Sequence, residues 1–277
     1  MPIKRLDYTW DYCKANPIGF AIITILLFLI NYLNENAVYY RMRYQFLFLC
    51  SAMIITIFIY GYGMVITKDI IRDGKKLPKI FLKECFVYGI KSFIIIAIYS
   101  TIQSLILLYI ATSFYFPQFE LKEAMINISE TLKMFFVNDP VSTFEFILIS
   151  IIVTYIFVFF MEISLARLAD GGKILDSFNI PAIKRCIDTI GWRNYTLDYT
   201  KLLFAIAILA YLQYGINLFG HYEYIINVIF GFFIFVIQYI GIGKIYREYK
   251  LKKYSNLKRP VRKVKSEWLK KYGKKDK

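Results

Sequence analysis

Histidine is nearly missing from this chain of 277 residues, with His221 the single example. The four cysteines, Cys13, Cys50, Cys85 and Cys186, show no CxxC spacing. These two scarcities argue against a metal site and leave unpaired, reduced thiols as the default. The chain also lacks a His/Cys/Asp constellation, a pair of carboxylates at a catalytic spacing, and a nucleophile elbow. The expectation is therefore a protein that is not an enzyme and carries no cofactor. Proline numbers only seven, and no Gly/Ser-rich or Pro-rich linker divides the sequence. Acid is scarce against base, 20 Asp and Glu against 35 Lys and Arg, for a net charge of +15.

What the chain has in abundance is apolar surface. Hydrophobic residues make up 58% and aromatics 19%, and the mean hydropathy is +0.48. A soluble domain of this length rarely combines the two. Several apolar runs approach the twenty or so residues that a helix needs to cross the hydrocarbon core. One stretch organises the rest, GYGMVITKDIIRDGKKLPKIFLKECFVYGIK at 61–91. An apolar run enters it, becomes charged at Lys68, Asp69, Arg72 and Asp73, breaks at Gly74, and gives way to a short amphipathic piece and a new apolar run. About a hundred residues on, FFMEISLARLADGGK repeats the plan and breaks at Asp170, Gly171 and Gly172. GIGKIYREYK, at 241–250, is a weaker echo.

The fold expected is all-α: an integral membrane bundle of six transmembrane helices with short interfacial amphipathic helices. Residues 1–16 carry Ile3, Leu6, Trp10 and Cys13 at helical spacing, which suits a helix lying in the interface. The six-helix domain occupies 17–249, and a basic tail 250–277. The first apolar run, 18–33, has the basic start of a signal peptide, but two aspartates precede it and no A-x-A-like site follows, so it reads as an uncleaved helix. The second span is expected at about 45–73 with Gly74 as its C-terminal cap, and the third at about 88–115. Leu121, Met125, Ile128, Leu132 and Phe135 then mark an amphipathic helix flat on the outer surface. Ser142 and Glu145 have capping-box spacing at the start of the fourth span, about 142–169. Ile183, Ile187 and Ile190 line one side of another short helix, capped by Gly191, and Trp192, Arg193, Tyr195 and Tyr199 read as an interfacial belt. The last two spans follow at about 197–218 and 224–246, and the tail from Lys250 reads as solvated chain. Spans two and three, 45–115, and four and five, 142–218, form two parallel hairpin units.

Charge gives the orientation. With six spans the termini share a side, and 31 of the 35 Lys and Arg fall on it. Only Arg41, Arg43, Lys122 and Lys133 lie opposite. The basic side is therefore cytoplasmic, in the cell membrane. Asn127 then lies outside, within an Asn-x-Ser acceptor for a glycan.

Several of these residues make the chain resemble the family known as domain of unknown function 4013, largely archaeal multi-pass membrane proteins. They are Tyr60-Gly61-Tyr62-Gly63, Ile71-Arg72-Asp73-Gly74 and Leu77-Pro78 in the first break, and Leu165-Ala166-Arg167 leading the second. Ile190-Gly191-Trp192-Arg193-Asn194-Tyr195 and the exit Gly241, Gly243, Tyr246, Arg247 and Glu248 continue the resemblance, which covers 4–248. The family pattern has an aromatic–acidic pair after Leu-Pro, where this chain has Lys79-Ile80-Phe81. The resemblance implies a membrane architecture and an archaeal origin, and supplies no activity and no functional residue.

The candidate site is a charged cluster at the inner face: Lys68, Arg72, Asp73, Glu162, Arg167 and Asp170, beside the helix-break glycines Gly74, Gly171 and Gly172. The plainer reading makes the glycines caps and the arginines headgroup anchors. Glu162 is the acid deepest in a span, where a carboxylate is either functional or paired with a nearby cation such as Arg167, Lys68 or Lys91. Gly61-x-Gly63 and Gly241-x-Gly243 follow no strand and read as close-packing positions, not nucleotide loops. Gln103, Asn217, Asn227 and Gln238 read as partners in interhelical hydrogen bonds. From Lys244 onward lie fifteen basic and three acidic residues, a stretch suited to anionic lipid headgroups. Nucleic acid would bind it only by nonspecific electrostatics. The function expected is a membrane scaffold whose basic face binds anionic membrane lipids or a partner protein. The alternative is a small-solute or lipid transporter built on the two hairpin units.

Overall fold

The computed structural model describes residues 3–39, 42–115, 139–217 and 223–272. The amphipathic segment expected after Pro117, with Asn127, lies outside them, as does His221. Among the described residues there are eight α-helices and no strand: α1 Ile3–Lys14, α2 Pro17–Tyr39, α3 Met42–Ile71, α4 Leu82–Ile110, α5 Pro140–Ala169, α6 Ile180–Ile190, α7 Trp192–Asn217 and α8 Glu223–Tyr272. A π-helical turn, Ala111–Tyr115, extends α4, and a 3₁₀ turn, Ile174–Phe178, precedes α6. The bundle is all-α, and six helices, α2 to α5, α7 and α8, are long and apolar enough to cross a membrane.

The helix ends differ from the sequence expectation in instructive ways. The short amphipathic piece after Pro78 is no separate helix. Glu84 in its first turn favours helix initiation, and the piece fuses with the apolar run as the start of α4. The start of α5 is capped by Asp139, whose carboxylate accepts from the Ser142 amide at 3.1 Å, with Pro140 as the first helical residue. The cap lies three residues before the Ser142 position expected from spacing, because proline fixes the helical φ one turn earlier. The tail does not leave the last helix at Lys250. Lys, Arg and Leu, good helix formers, dominate 250–272, an i,i+4 bridge of 2.6 Å joins Glu248 to Lys252, and α8 runs through Pro260 to Tyr272.

By compactness the chain divides into 1–93 with 163–277, and 94–162. In the first unit α8 is the central element and packs against α1, α2, α3, α6 and α7. The apolar helices have polar-free surfaces nearly all round, so burial distinguishes the inner ones: about half of the α3 span is covered, against 11% of α2 and α7. Tyr62, Met64, Ile66 and Ile70 of α3 and Val236 and Tyr239 of α8 are buried in the core, where the two helices pack together. Phe20 of α2 stands edge-on to Phe232 at 4.5 Å. Contact between α3 and α4 depends on two small residues. A Cβ on Gly61 would run into the backbone of Cys85 and Gly89, and a Cβ on Gly89 into the Ile57 carbonyl. Gly63 and Gly243 serve the α3–α8 seam against Tyr239 and Ile70, where the Thr67 hydroxyl also donates to the Tyr239 carbonyl at 3.1 Å. In the second unit, Gln103 of α4 donates to Thr154 of α5 at 2.9 Å.

Candidate functional site

Of the charged residues singled out in the sequence, Lys68, Arg72 and Asp73 lie at the end of α3 and Arg167 and Asp170 at the end of α5, and the two ends are built alike. At the α3 terminus the Gly74 amide reaches back five residues to the Asp69 carbonyl at 2.8 Å, and the Asp73 amide donates to the Ile70 carbonyl. At the α5 terminus Gly172 reaches the Arg167 carbonyl at 3.0 Å, and Gly171 the Leu168 carbonyl. Both are Schellman closures. The left-handed residue is Gly171 in one, with φ 103°, and Asp73 in the other, with φ 71°. Aspartate is among the few side chains that tolerate this conformation. Gly74 is therefore not the left-handed cap; it is the following residue, pressed against the Asp69 carboxylate. The register of the repeat is thereby fixed: Asp73-Gly74 corresponds to Gly171-Gly172, and Asp69 to Arg167.

Helix α8 supplies a cation to each end. Arg247 Nη1 lies 2.7 Å from Asp73 Oδ1, and Lys250 Nζ 2.5 Å from Asp170 Oδ1. The two are three residues apart and so lie on one side of the helix. One turn of α8 thus holds the ends of α3 and α5 together. Beyond it, Lys252 donates to the Ile190 carbonyl at the end of α6 at 2.7 Å.

The other members of the cluster have separate partners. Lys68 bridges to Glu84 at 2.6 Å and sits 5.2 Å above the Tyr88 ring. Arg167 donates to the Asp176 carbonyl at 2.8 Å, fixing the 3₁₀ turn against the helix it follows. Arg72 is exposed, and Glu162 is buried on α5 at 4% exposure.

The N-terminal segment contributes more than the sequence suggested. Among the described side chains of α1, Thr9, Tyr12 and Cys13 are covered and Trp10 is exposed. Tyr12 donates its hydroxyl to Asp69 at 2.9 Å, and its carbonyl accepts from the buried Leu77. Asn16 Oδ1 caps α2 at the Gly19 amide while its Nδ2 donates to the Leu77 carbonyl at 3.1 Å. Tyr62 donates to the Pro78 carbonyl at 3.0 Å. These bonds explain the Tyr-Gly-Tyr-Gly and Leu-Pro pattern: the tyrosine and the leucine fasten the loop 72–81 to α1 and α3. Burial pushes the Cys13 thiol up to about 12, and burial likewise raises the Cys186 thiol on α6. Ile183, Cys186, Ile187 and Ile190 form the covered side of α6 as the spacing indicated. Tyr195 and Tyr199, expected in an interfacial belt, are instead buried and stacked at 6.0 Å; Trp192 alone of the aromatics there is exposed. Asn16, Glu84, Arg247 and Lys250 were not among the candidate site residues read from sequence, although Arg247 belongs to the family resemblance. Only the i,i+3 placing of the last two in GIGKIYREYK carried a signal. Among the described residues no group of His, Cys, Asp and Glu could hold a metal ion.

Residues 45–219 match the family described as Protein of unknown function (DUF4013). The chain matches no curated protein and no solved structure. The family match covers α3 to α7 and both Schellman-closed helix ends, so this chain is a member of the DUF4013 family.

Proposed function

We propose that this DUF4013 member is a non-enzymatic multi-pass protein of an archaeal cell membrane, with both termini in the cytoplasm. It organises the membrane by holding anionic lipid headgroups, or a partner protein, on its basic face. The observation that carries this reading is how charge is consumed around the helix ends. Asp69, Asp73, Glu84 and Asp170 each engage a partner within the chain, while Lys75, Lys76, Lys79, Lys83, Lys184 and Arg185 project to the exterior. The rim therefore presents net positive charge, which anionic headgroups complement. Polar groups inside the spans engage one another, as Gln103 does Thr154 and Gln213 does Asn227 at 2.8 Å.

Native mass spectrometry of protein extracted from vesicles of equal phosphatidylglycerol and phosphatidylcholine tests the proposal. Retained phosphatidylglycerol that is stripped by high salt is expected. Equal retention of both lipids overturns it. One observation favours the transporter reading, the burial of Glu162 inside a candidate span. Under it Glu162→Gln abolishes solute flux in reconstituted vesicles; unchanged flux leaves the scaffold.

A further inference from the structure

The first turns of α4 carry a depression that the ion pairs of the helix ends do not use. Phe81, Lys83, Glu84, Val87, Tyr88 and Lys91 line it. Its polar and apolar parts are sorted. Phe81 and Val87 are exposed to the surroundings, and the neighbouring Leu82 more so, at 67%. The one acid, Glu84, is neutralised by Lys68, which also covers the Tyr88 ring. The side chains of Lys83 and Lys91 make no ion pair or hydrogen bond among the described residues. The depression therefore carries two uncompensated cations in a wall that is otherwise apolar and aromatic. It sits at the mouth of a candidate membrane span, where the positive end of the α4 dipole adds to the same sign.

We propose that this depression binds one anionic phospholipid, its phosphate between Lys83 and Lys91 and its glycerol and upper acyl chain against Phe81, Val87 and Tyr88. The inference rests on the membrane reading above and narrows it to one site. A soluble anion would need only the lysines. The exposed apolar wall beside them is what a ligand with a hydrocarbon portion covers, and it is unfavourable next to water. A phospholipid joins the two at the spacing of a headgroup and its chains. Glu84 also imposes a requirement: while Lys68 holds it, it does not repel the phosphate. Glu84→Gln is therefore expected to leave binding intact, and Lys68→Gln, which exposes the carboxylate, to weaken it.

The test is a native mass spectrometry titration of the full chain with dioleoylphosphatidylglycerol, compared with Lys83→Gln, Lys91→Gln and the double variant. Lys184→Gln/Arg185→Gln on α6 serves as the control. Wild type is expected to retain one tightly held lipid. Each lysine removed is expected to weaken it roughly fivefold, and the double variant to lose it. The control is expected to retain it. Equal weakening by the control would show diffuse attraction and overturn the site while sparing the general reading. A wild type with no preference for anionic lipid removes both. Competition by inorganic phosphate at the affinity of the lipid would make the ligand a soluble anion and overturn the proposal. If the double variant does not fold, a photoreactive phenylalanine at Phe81 decides: labelling of lipid supports the site, and labelling of a protein chain overturns it.

Discussion

The ion pair between Asp170 and Lys250 is expected to hold α8 to the end of α5 with a measurable coupling energy. Its atoms are 2.5 Å apart, and its side chains retain only 21% and 28% of their exposure. At an effective dielectric of about 20 the bare attraction at that distance is about 7 kcal/mol, most of which offsets desolvation. Fully exposed pairs contribute about 0.2–1 kcal/mol and well-formed charged hydrogen bonds about 1.5–3. Intermediate burial places the coupling near 1.5 kcal/mol. The perturbation is a double-mutant cycle of Asp170→Asn and Lys250→Gln, read by thermal unfolding in nanodiscs. For a chain of this size about 2–4 °C accompanies each kcal/mol, so the two single losses are expected to exceed the double variant's loss by about 3–6 °C. The pair Asp198–Lys201, 3.6 Å apart with the lysine 63% exposed, supplies a comparison whose coupling falls below about 0.5 kcal/mol. Additivity at Asp170 and Lys250 within that same margin would refute the argument that α8 clamps the helix ends.

Gly61→Ala is expected to force α3 and α4 apart and cost about 1–3 kcal/mol, seen as a lowered unfolding temperature, whereas Gly215→Ala, with open space at the site, is expected to cost nothing. Maleimide labelling of the folded protein at pH 8 is expected to spare the buried Cys13, Cys85 and Cys186, all three reacting once the chain is unfolded; rapid labelling of Cys13 would contradict its burial. Hydrogen bonds from the Ser142 side chain and amide depress the Asp139 carboxyl. Its folded value lies below the unfolded one, so the cap is complete above the usual carboxylate range and is lost as pH falls through the folded value. Protection of the 141–143 amides against exchange, relative to the free-peptide rate at each pH, should fall in acid, and Asp139→Ala should lack that protection at every pH. Lys76→Cys is expected to react with a membrane-impermeant reagent in inverted vesicles and not in intact cells; the opposite result would reverse the proposed orientation.

Helix type and span number were legible because twenty-residue apolar runs have few alternatives, and the two breaks were legible because Asp and Gly cluster only there. The burial pattern was not. A helix that is apolar all round looks the same whether lipid or protein covers it, so nothing in composition separated the inner α3 and α8 from the outer α2 and α7. Tyr195 and Tyr199 illustrate the point: tyrosine suits an interface and a core equally, and packing decided for the core. Spacing also favoured Ser142 over Asp139 as the α5 cap, since the capping-box pattern ignores the proline that fixes the first turn. As a set of pairs, the charged cluster read from sequence was incomplete. Asp73 and Asp170 meet cations of α8 that lie 174 and 80 residues further along the chain, and no local pattern reports such a meeting.

The unbroken course of α8 has a mechanical consequence. From Lys250 to Tyr272 the helix rises about 33 Å, several Debye lengths at physiological salt. Counterions hide the charges near its far end from Asp73 and Asp170. Whatever those charges grip can then influence α3 and α5 only as a pull or a torque transmitted along the rod, with Arg247 and Lys250 as its fulcrum.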